Sequence, residues 1–297
     1  MFFPNKRQKI ITICIFLLPS MLGLIVFCLV PMFASAVYSF LNYDILLPLS
    51  QVEFIGLDNF TRLFREGELY VTLWHNIQYL LMYIPVIMLT SLGMGLLLSK
   101  SFKGHSIIRI IFYTPVITSW VAAAVVWKWI LSGKFGFINQ AFAVVGIQAP
   151  AWLSDPSWAM VGIVIVAIWK DTGYYALFFL AAIKGIDFTY YEAANIDGAK
   201  WYQKLFRITL PMISPTIFLL FVYNVIAGFQ VFDSVQIMTT GGPAGATTVM
   251  MERVYKYGFK MYQMGYAAAW SWVLFIIILI VTIIQFTLQR KWVNYDS

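Results

Sequence analysis

The sequence predicts an all-α, polytopic membrane protein with six transmembrane helices and both termini on the cytoplasmic side. Three observations carry this. Hydrophobic residues make up 61% of the 297 and charged residues only 11%, about half the charged share of an ordinary soluble domain. The apolar residues fall in six continuous runs of the ~20 residues that cross a bilayer as a helix, not in the short alternating strands of a barrel. Lysine and arginine are also distributed unequally between the segments that join the runs.

The first run, Ile10–Val30, follows Lys6, Arg7 and Lys9. It is longer than the core of a signal peptide and continues apolar through Pro31 to Leu41, so it is expected to remain as a span. Its two cysteines, Cys14 and Cys28, lie about 21 Å apart on a helix. A disulfide needs Cα atoms within about 7 Å, so they read as small apolar residues. The longest outer loop follows, over 42–74. The remaining runs are Ile77–Leu98, Ile107–Leu131, Trp158–Ile183, Met212–Met238 and Ala267–Leu288. Lys128, between Trp127 and Trp129 near the outer end of the third run, reads as an interface anchor with a snorkelling side chain.

With the N-terminus inside, the inner segments hold twelve of the 20 basic residues. The outer segments hold six (Arg62, Arg65, Lys134, Arg253, Lys256, Lys260), and Lys128 and Lys170 fall within runs. This asymmetry sets the orientation. It also accounts for the net charge of +7, which needs no nucleic acid to explain it. The chain divides into 1–71, a first helix with its outer loop; 72–288, the core; and 289–297, a cytoplasmic tail.

The inner loop between the fourth and fifth runs, Gly185 to Pro211, stands apart. Thr189-Tyr190-Tyr191-Glu192 reads as a capping box that opens a short helix. Asp197-Gly198 reads as a turn, and a second short helix is expected over Ala199–Arg207. The string Glu192-Ala193-Ala194-x3-Gly198-x9-Ile208-x-Leu210-Pro211 resembles the EAA loop of ABC importer permeases at all seven defining positions. The resemblance implies a type I ABC importer transmembrane domain in a bacterial cell membrane. It further implies that Glu192, Ala193, Ala194, Asp197, Gly198 and Ala199 couple the chain to an ATPase. The extended form through Asp197-Gly198-Ala199 is similar to the sugar-importing branch. So are Phe54-Ile55-Gly56-Leu57-Asp58-Asn59-Phe60 and Thr240-Gly241-Gly242-Pro243.

The partners so implied are a second, related permease subunit, two ATPase subunits, an extracytoplasmic solute-binding protein and a sugar. The sequence has no G-x-x-x-x-G-K-[ST] phosphate loop, so ATP is expected on the partner ATPase and no cofactor on this chain. His75 and His105 have no metal-ligand spacing, and no catalytic cluster is present. The chain is therefore expected to be neither an enzyme nor a metal protein.

Lys170 and Asp171 fall midway along the fourth run, where each ionisable side chain costs about 2.5–3.5 kcal/mol on insertion scales. Neighbours on a helix point about 100° apart, so at least one must face a cavity or another helix. Resemblance to the larger maltose-permease subunit places Lys170, Asp171 and Tyr174 on the substrate path, with Asn224 and Gly228 in the fifth run and Ser119 with Trp120 in the third. A midplane lysine would suit an anionic sugar, and a salt bridge to Asp233 or to a partner subunit, or a structural contact with a neighbouring helix, is equally open. Two rival readings remain: the same machine with a non-sugar solute, and a secondary transporter or channel without an ATPase. The second expects coupling carboxylates or an inverted repeat, and of these only Asp171 and Asp233 are candidates.

Overall fold

The computed structural model describes residues 6–100, 103–133, 135–290 and 292–293. The chain divides into two units, Met1–Gly67 with Val254–Val273, and Glu68–Arg253 with Leu274–Ser297.

In the first unit α1 (Lys6–Leu24), a π-helical turn (Ile25–Leu29) and α2 (Val30–Tyr38) follow one another without interruption. The membrane-length segment is Lys9–Tyr38, longer than the predicted Ile10–Val30. Pro31 does not end it: the π-helical turn immediately before it shifts the hydrogen-bond ladder, with the Val30 N–H reaching the Ile25 carbonyl, and the helix continues through the proline. Beyond α2, β1 (Leu41–Asn42) pairs antiparallel with β2 (Glu53–Phe54), and α3 (Asp58–Arg65) follows. Asn59 is buried and its Nδ2 donates to the carbonyls of Ser39 and Leu41, both at 3.0 Å. This one amide satisfies carbonyls where the first span ends. Arg62 Nε donates to Glu66 Oε1 at 2.7 Å, and its guanidinium lies 4.0 Å from the Tyr266 ring centre.

The second unit is built on two long helices, α4 (Glu68–Ser99) and, after the elements between them, α8 (Pro156–Lys184). Between them come α5 (His105–Ile117), α6 (Trp120–Ile130) and α7 (Phe137–Val144). Asp155 caps α8 by accepting from the Ser157 N–H at 2.8 Å. After α8 come α9 (Phe188–Ile196), α10 (Trp201–Lys204), a π turn (Leu205–Thr209), α11 (Leu210–Met212), α12 (Ser214–Phe229) and α13 (Asp233–Met238). Then come α14 (Met250–Tyr255), a π turn (Lys256–Lys260) and α15 (Met264–Gln289), of which the stretch Val254–Val273 belongs to the first unit. The most extensive helix pairing is α4 with α8. Gly95 permits it, because a Cβ there would lie 2.7 Å from that of Phe179. Tyr79, Tyr83 and Ile87 from α4 meet Ile163, Val166 and Phe179 from α8, with Leu220 from α12 and Val235 from α13, in one core.

Two of the predicted spans are not single helices. The third, expected as Ile107–Leu131, is α5 and α6 meeting at 103°. Pro115 withholds a hydrogen bond in the last turn of α5, and Thr118 and Ser119 are extended at ψ 145° and 139°. The Thr118 hydroxyl donates back to the Pro115 carbonyl at 2.6 Å, a local competitor of the helical ladder. The fifth, expected as Met212–Met238, breaks between Phe229 and Asp233 into α12 and α13. Five helical segments are long and apolar enough to cross a membrane, or six when the bent pair counts as one span.

Candidate functional site

The two breaks open onto one cavity of about 170 Å³. Tyr79 and Tyr83 of α4 and Asp171 and Tyr175 of α8 form one side. Trp120 at the start of α6 and Gly228 through Ser234 at the second break form the other, except that Phe229 does not reach it. Irregular backbone is tolerated at membrane depth where it lines such a cavity. The Tyr83 hydroxyl donates to Asp171 Oδ2 at 2.9 Å, and Tyr79 and Tyr83 stack at 5.3 Å. Trp120, Asp171 and Gly228 thus meet here, with Asp233 beside them. Ser119, Lys170, Tyr174 and Asn224 do not line the cavity.

Lys170 points the other way. Its Nζ donates to the carbonyls of Pro115 at 2.9 Å, Val116 at 3.4 Å and Thr118 at 2.8 Å. Only 4% of the residue is exposed, and its Nζ stands 5.3 Å from the Trp120 ring centre. The ammonium that suggested an anionic sugar is already committed to the carbonyls freed at the end of α5. Tyr174 packs edge-on against Phe178 at 5.1 Å. Asn224 is fully enclosed: its Nδ2 donates to the Leu220 carbonyl at 2.7 Å, and its Oδ1 has no partner among the described residues.

On the loop after α8, the predicted Thr189 capping box is replaced by another cap. Asp187 is the N-cap, its Oδ1 accepting from the Thr189 N–H at 2.9 Å, and the helix starts at Phe188. That hydrogen bond holds the Asp187 carboxyl below the usual carboxylate range. Aspartate competes better than threonine for this position when it sits one residue before the helical run. Glu192 is left exposed, with no hydrogen bond or ion pair among the described residues.

The other end of α9 accounts for five of the motif residues at once. Gly198, at φ +68°, lies in the left-handed region, and its N–H donates to the Asn195 carbonyl at 3.1 Å. The Ala199 N–H donates to the Ala194 carbonyl at 2.8 Å, and that of Asp197 to the Ala193 carbonyl at 3.0 Å. The closures made by Gly198 and Ala199 form a Schellman motif. The second helix starts at Trp201, not Ala199, because the Lys200 N–H is capped by Gln203 Oε1 at 2.7 Å. It does not stop at Arg207: it runs through the π turn into α11, and hydrogen bonds from Ile213 and Ile217 carry it into α12. Pro211 follows that π turn directly, as Pro31 follows the one in the first span, and the helix continues through both. Lys204 Nζ donates to Asn195 Oδ1, and Tyr191 and Thr209 share a hydroxyl hydrogen bond at 2.8 Å, so the two short helices are braced together.

Residues 72–294 match the family described as "Binding-protein-dependent transport system inner membrane component". The chain belongs to this family. The "probable ABC transporter permease protein YesP" of Bacillus subtilis (strain 168) is 35% identical over 95% of this permease and 91% of its own length. The lactose transport system permease protein of Rhizobium radiobacter is 30% identical over 96% of each chain. A crystal structure of a bacterial ABC transporter that imports the acidic polysaccharide alginate shares the fold. Its matching chain has a TM-score of 0.84 at 24% identity, covering 97% of this permease and 99% of that chain. The permease is a multi-pass membrane protein of the type I importer fold.

Three polar side chains of the permease were not anticipated in their roles. Asn76 is fully buried in α4, its Nδ2 donating to the carbonyls of Gly228 (3.3 Å) and Phe229 (3.2 Å) and its Oδ1 accepting from the Met250 N–H (2.9 Å). Lys128 is not only an interface anchor, since its Nζ donates to the Ile237 carbonyl at 3.2 Å, near the end of α13. His75 Nδ1 lies 2.9 Å from the Thr248 carbonyl. Asn76 stands immediately before the second run, outside the segment in which a polar residue would have stood out.

Proposed function

We propose that this permease is the membrane-spanning subunit of an ATP-driven importer of carbohydrates, working beside a second, related permease. A separate ATPase hydrolyses ATP and docks on the loop from Phe188 to Lys204. An extracytoplasmic binding protein delivers the sugar, and both termini of the permease face the cytoplasm. Relatives of about 30% identity or more support the machine, and among them the lactose permease supports the cargo. The cavity suits that cargo: aromatic faces, tyrosine hydroxyls and two carboxylates offer stacking and hydrogen bonds to sugar hydroxyls.

The observation that carries the reading is the surface of the loop. Ile196 is 86% exposed and Trp201 75% exposed, beside an unpaired Glu192. Large apolar side chains gathered at a polar loop mark a surface that a partner covers. The second short helix continues into α12, and α12 ends at the break beside the cavity. A push on the loop thus reaches the cavity wall along one helical path. The 16 residues of α12 span about 24 Å at 1.5 Å each.

Affinity purification of the permease from its native membrane tests this. Recovery of an ATPase and a second permease is expected, with the ATPase lost in Glu192→Ala and Gly198→Val while both variants still insert. Retention of the ATPase by both variants, or its absence from the unsubstituted complex, overturns the reading.

A further inference from the structure

Each interrupted span leaves carbonyls without helical partners, because the last four C=O groups of any helix lack them. Inside a membrane such groups are costly unless something donates to them. At the end of α5 the donor is Lys170 of α8, reaching three carbonyls. At the end of α12 the donor is Asn76 of α4, reaching two. Both side chains are buried, and both come from the most extensive helix pairing in the second unit. Each stands directly before a segment that lines the cavity. Trp120 follows the Lys170-held break by two residues, and Gln230 to Ser234 follow the Asn76-held one. Asn76 also accepts from the Met250 N–H, so its amide is fixed on both sides and cannot turn freely.

We propose that Lys170 and Asn76 are paired positioning residues of the solute path. Lys170 sets where α6 begins and so presents Trp120 to the cavity. Asn76 sets where the second break begins and so presents Val231 and its neighbours. The α4–α8 pair is the fixed frame, and the half-helices α6 and α13 are hung from it by these two side chains. Neither residue touches the solute. The inference rests on the cavity belonging to the solute path, but its test needs no solute, so the two can fail separately.

The test is single-cysteine labelling in the whole transporter, reconstituted with its partner chains in proteoliposomes and with Cys14 and Cys28 changed to serine. Cysteine is placed at Trp120 or at Val231, and its reaction rate with a charged, membrane-impermeant maleimide is measured. Lys170→Met is expected to lower the rate at position 120 at least tenfold and to change that at 231 less than twofold. Asn76→Leu is expected to do the reverse, and Lys170→Arg, which keeps the donors, to restore position 120. If Lys170→Met does not assemble, Lys170→Leu, which also lacks a donor, is read in the same way. Equal changes at both positions from either substitution, or no change from either, overturn the proposal. Uptake by the unsubstituted transporter checks the solute-path reading independently.

Discussion

Gly173 is the position at which the smallest substitution is expected to do the most damage. It lies on α8 where the helix meets α5, and an added Cβ would stand 1.9 Å from the Phe112 carbonyl oxygen and 2.7 Å from its carbon. A relaxed C···O contact is about 3.3 Å or more, so the two helices must separate by roughly 1.4 Å along that line. The obstacle is helical backbone, which cannot rotate aside as a side chain would. Overpacking of this kind costs about 1–3 kcal/mol, and the upper end applies here. The same separation would draw the Pro115 and Thr118 carbonyls away from Lys170. Their distances of 2.9 and 2.8 Å would then pass the roughly 3.5 Å limit of a hydrogen bond. Each charge-assisted bond lost costs a further ~1.5–3 kcal/mol. Gly93→Ala is the control, since an added Cβ there meets nothing within 4 Å, and alanine gains about 0.5–1 kcal/mol of helix propensity. Thermal unfolding of the detergent-solubilised permease, followed by fluorescent size-exclusion chromatography, compares the two. Gly173→Ala should lower the midpoint by about 5 °C or more, with Gly93→Ala unchanged or higher. Equal midpoints for Gly173→Ala and the unsubstituted chain would refute the close-approach argument.

Gly198→Val forces a β-branched residue to φ +68°, a cost of at least about 1–2 kcal/mol. ATPase recovery should fall steeply in Gly198→Val and only partly in Gly198→Ala, whose Cβ has open space. Tyr83→Phe removes the donor to Asp171 Oδ2 at about 1–3 kcal/mol. It is expected to raise the KM of sugar uptake tenfold or more with ATPase association intact, and an unchanged KM would count against the cavity. Burial pushes the Glu66 carboxyl up, but hydrogen bonds from Arg62 and from the Tyr266 hydroxyl at 2.8 Å outweigh it and hold it below the ordinary 4.5. A depressed carboxyl stabilises fully above 4.5 and loses that contribution as pH falls through its folded value. Acid unfolding of the Glu66→Gln variant should therefore be shallower than wild type below pH 4.5 and parallel to it above.

The places where sequence and structure part company share one cause. Composition and apolar run length report whether a segment can cross a bilayer, and five of the six runs correspond to helical segments long and apolar enough to do so, with the third run as a bent pair. They do not report whether the crossing is one helix or two. Pro115 was visible in the third run, yet Pro31, Pro85 and Pro211 also lie in or beside helices that continue. What distinguishes Pro115 is a lysine 55 residues later in the chain that supplies donors to the carbonyls released there. No local pattern carries that pairing. Asn76 escaped for the same reason: its partners, Gly228, Phe229 and Met250, lie more than 150 residues away.

The loop between α8 and α12 was more legible because its rules are local. Gly198 at the turn, the short helices on either side and the exposed aromatic residues all follow from neighbours within about ten positions. Even there the N-cap went to Asp187 and not Thr189, because the helix starts at Phe188 and places Thr189 inside its first turn. The same contrast separates the two charged neighbours of the fourth span. Helical geometry alone required Lys170 and Asp171 to face different surroundings. It could not say which one met the cavity, and the positive charge drew attention first. The structure gives the cavity to Asp171, through Tyr83, and gives Lys170 to the backbone. A buried cation with three carbonyl partners is already satisfied, and the side chains left facing the cavity are the aromatic and acidic ones on the opposite side.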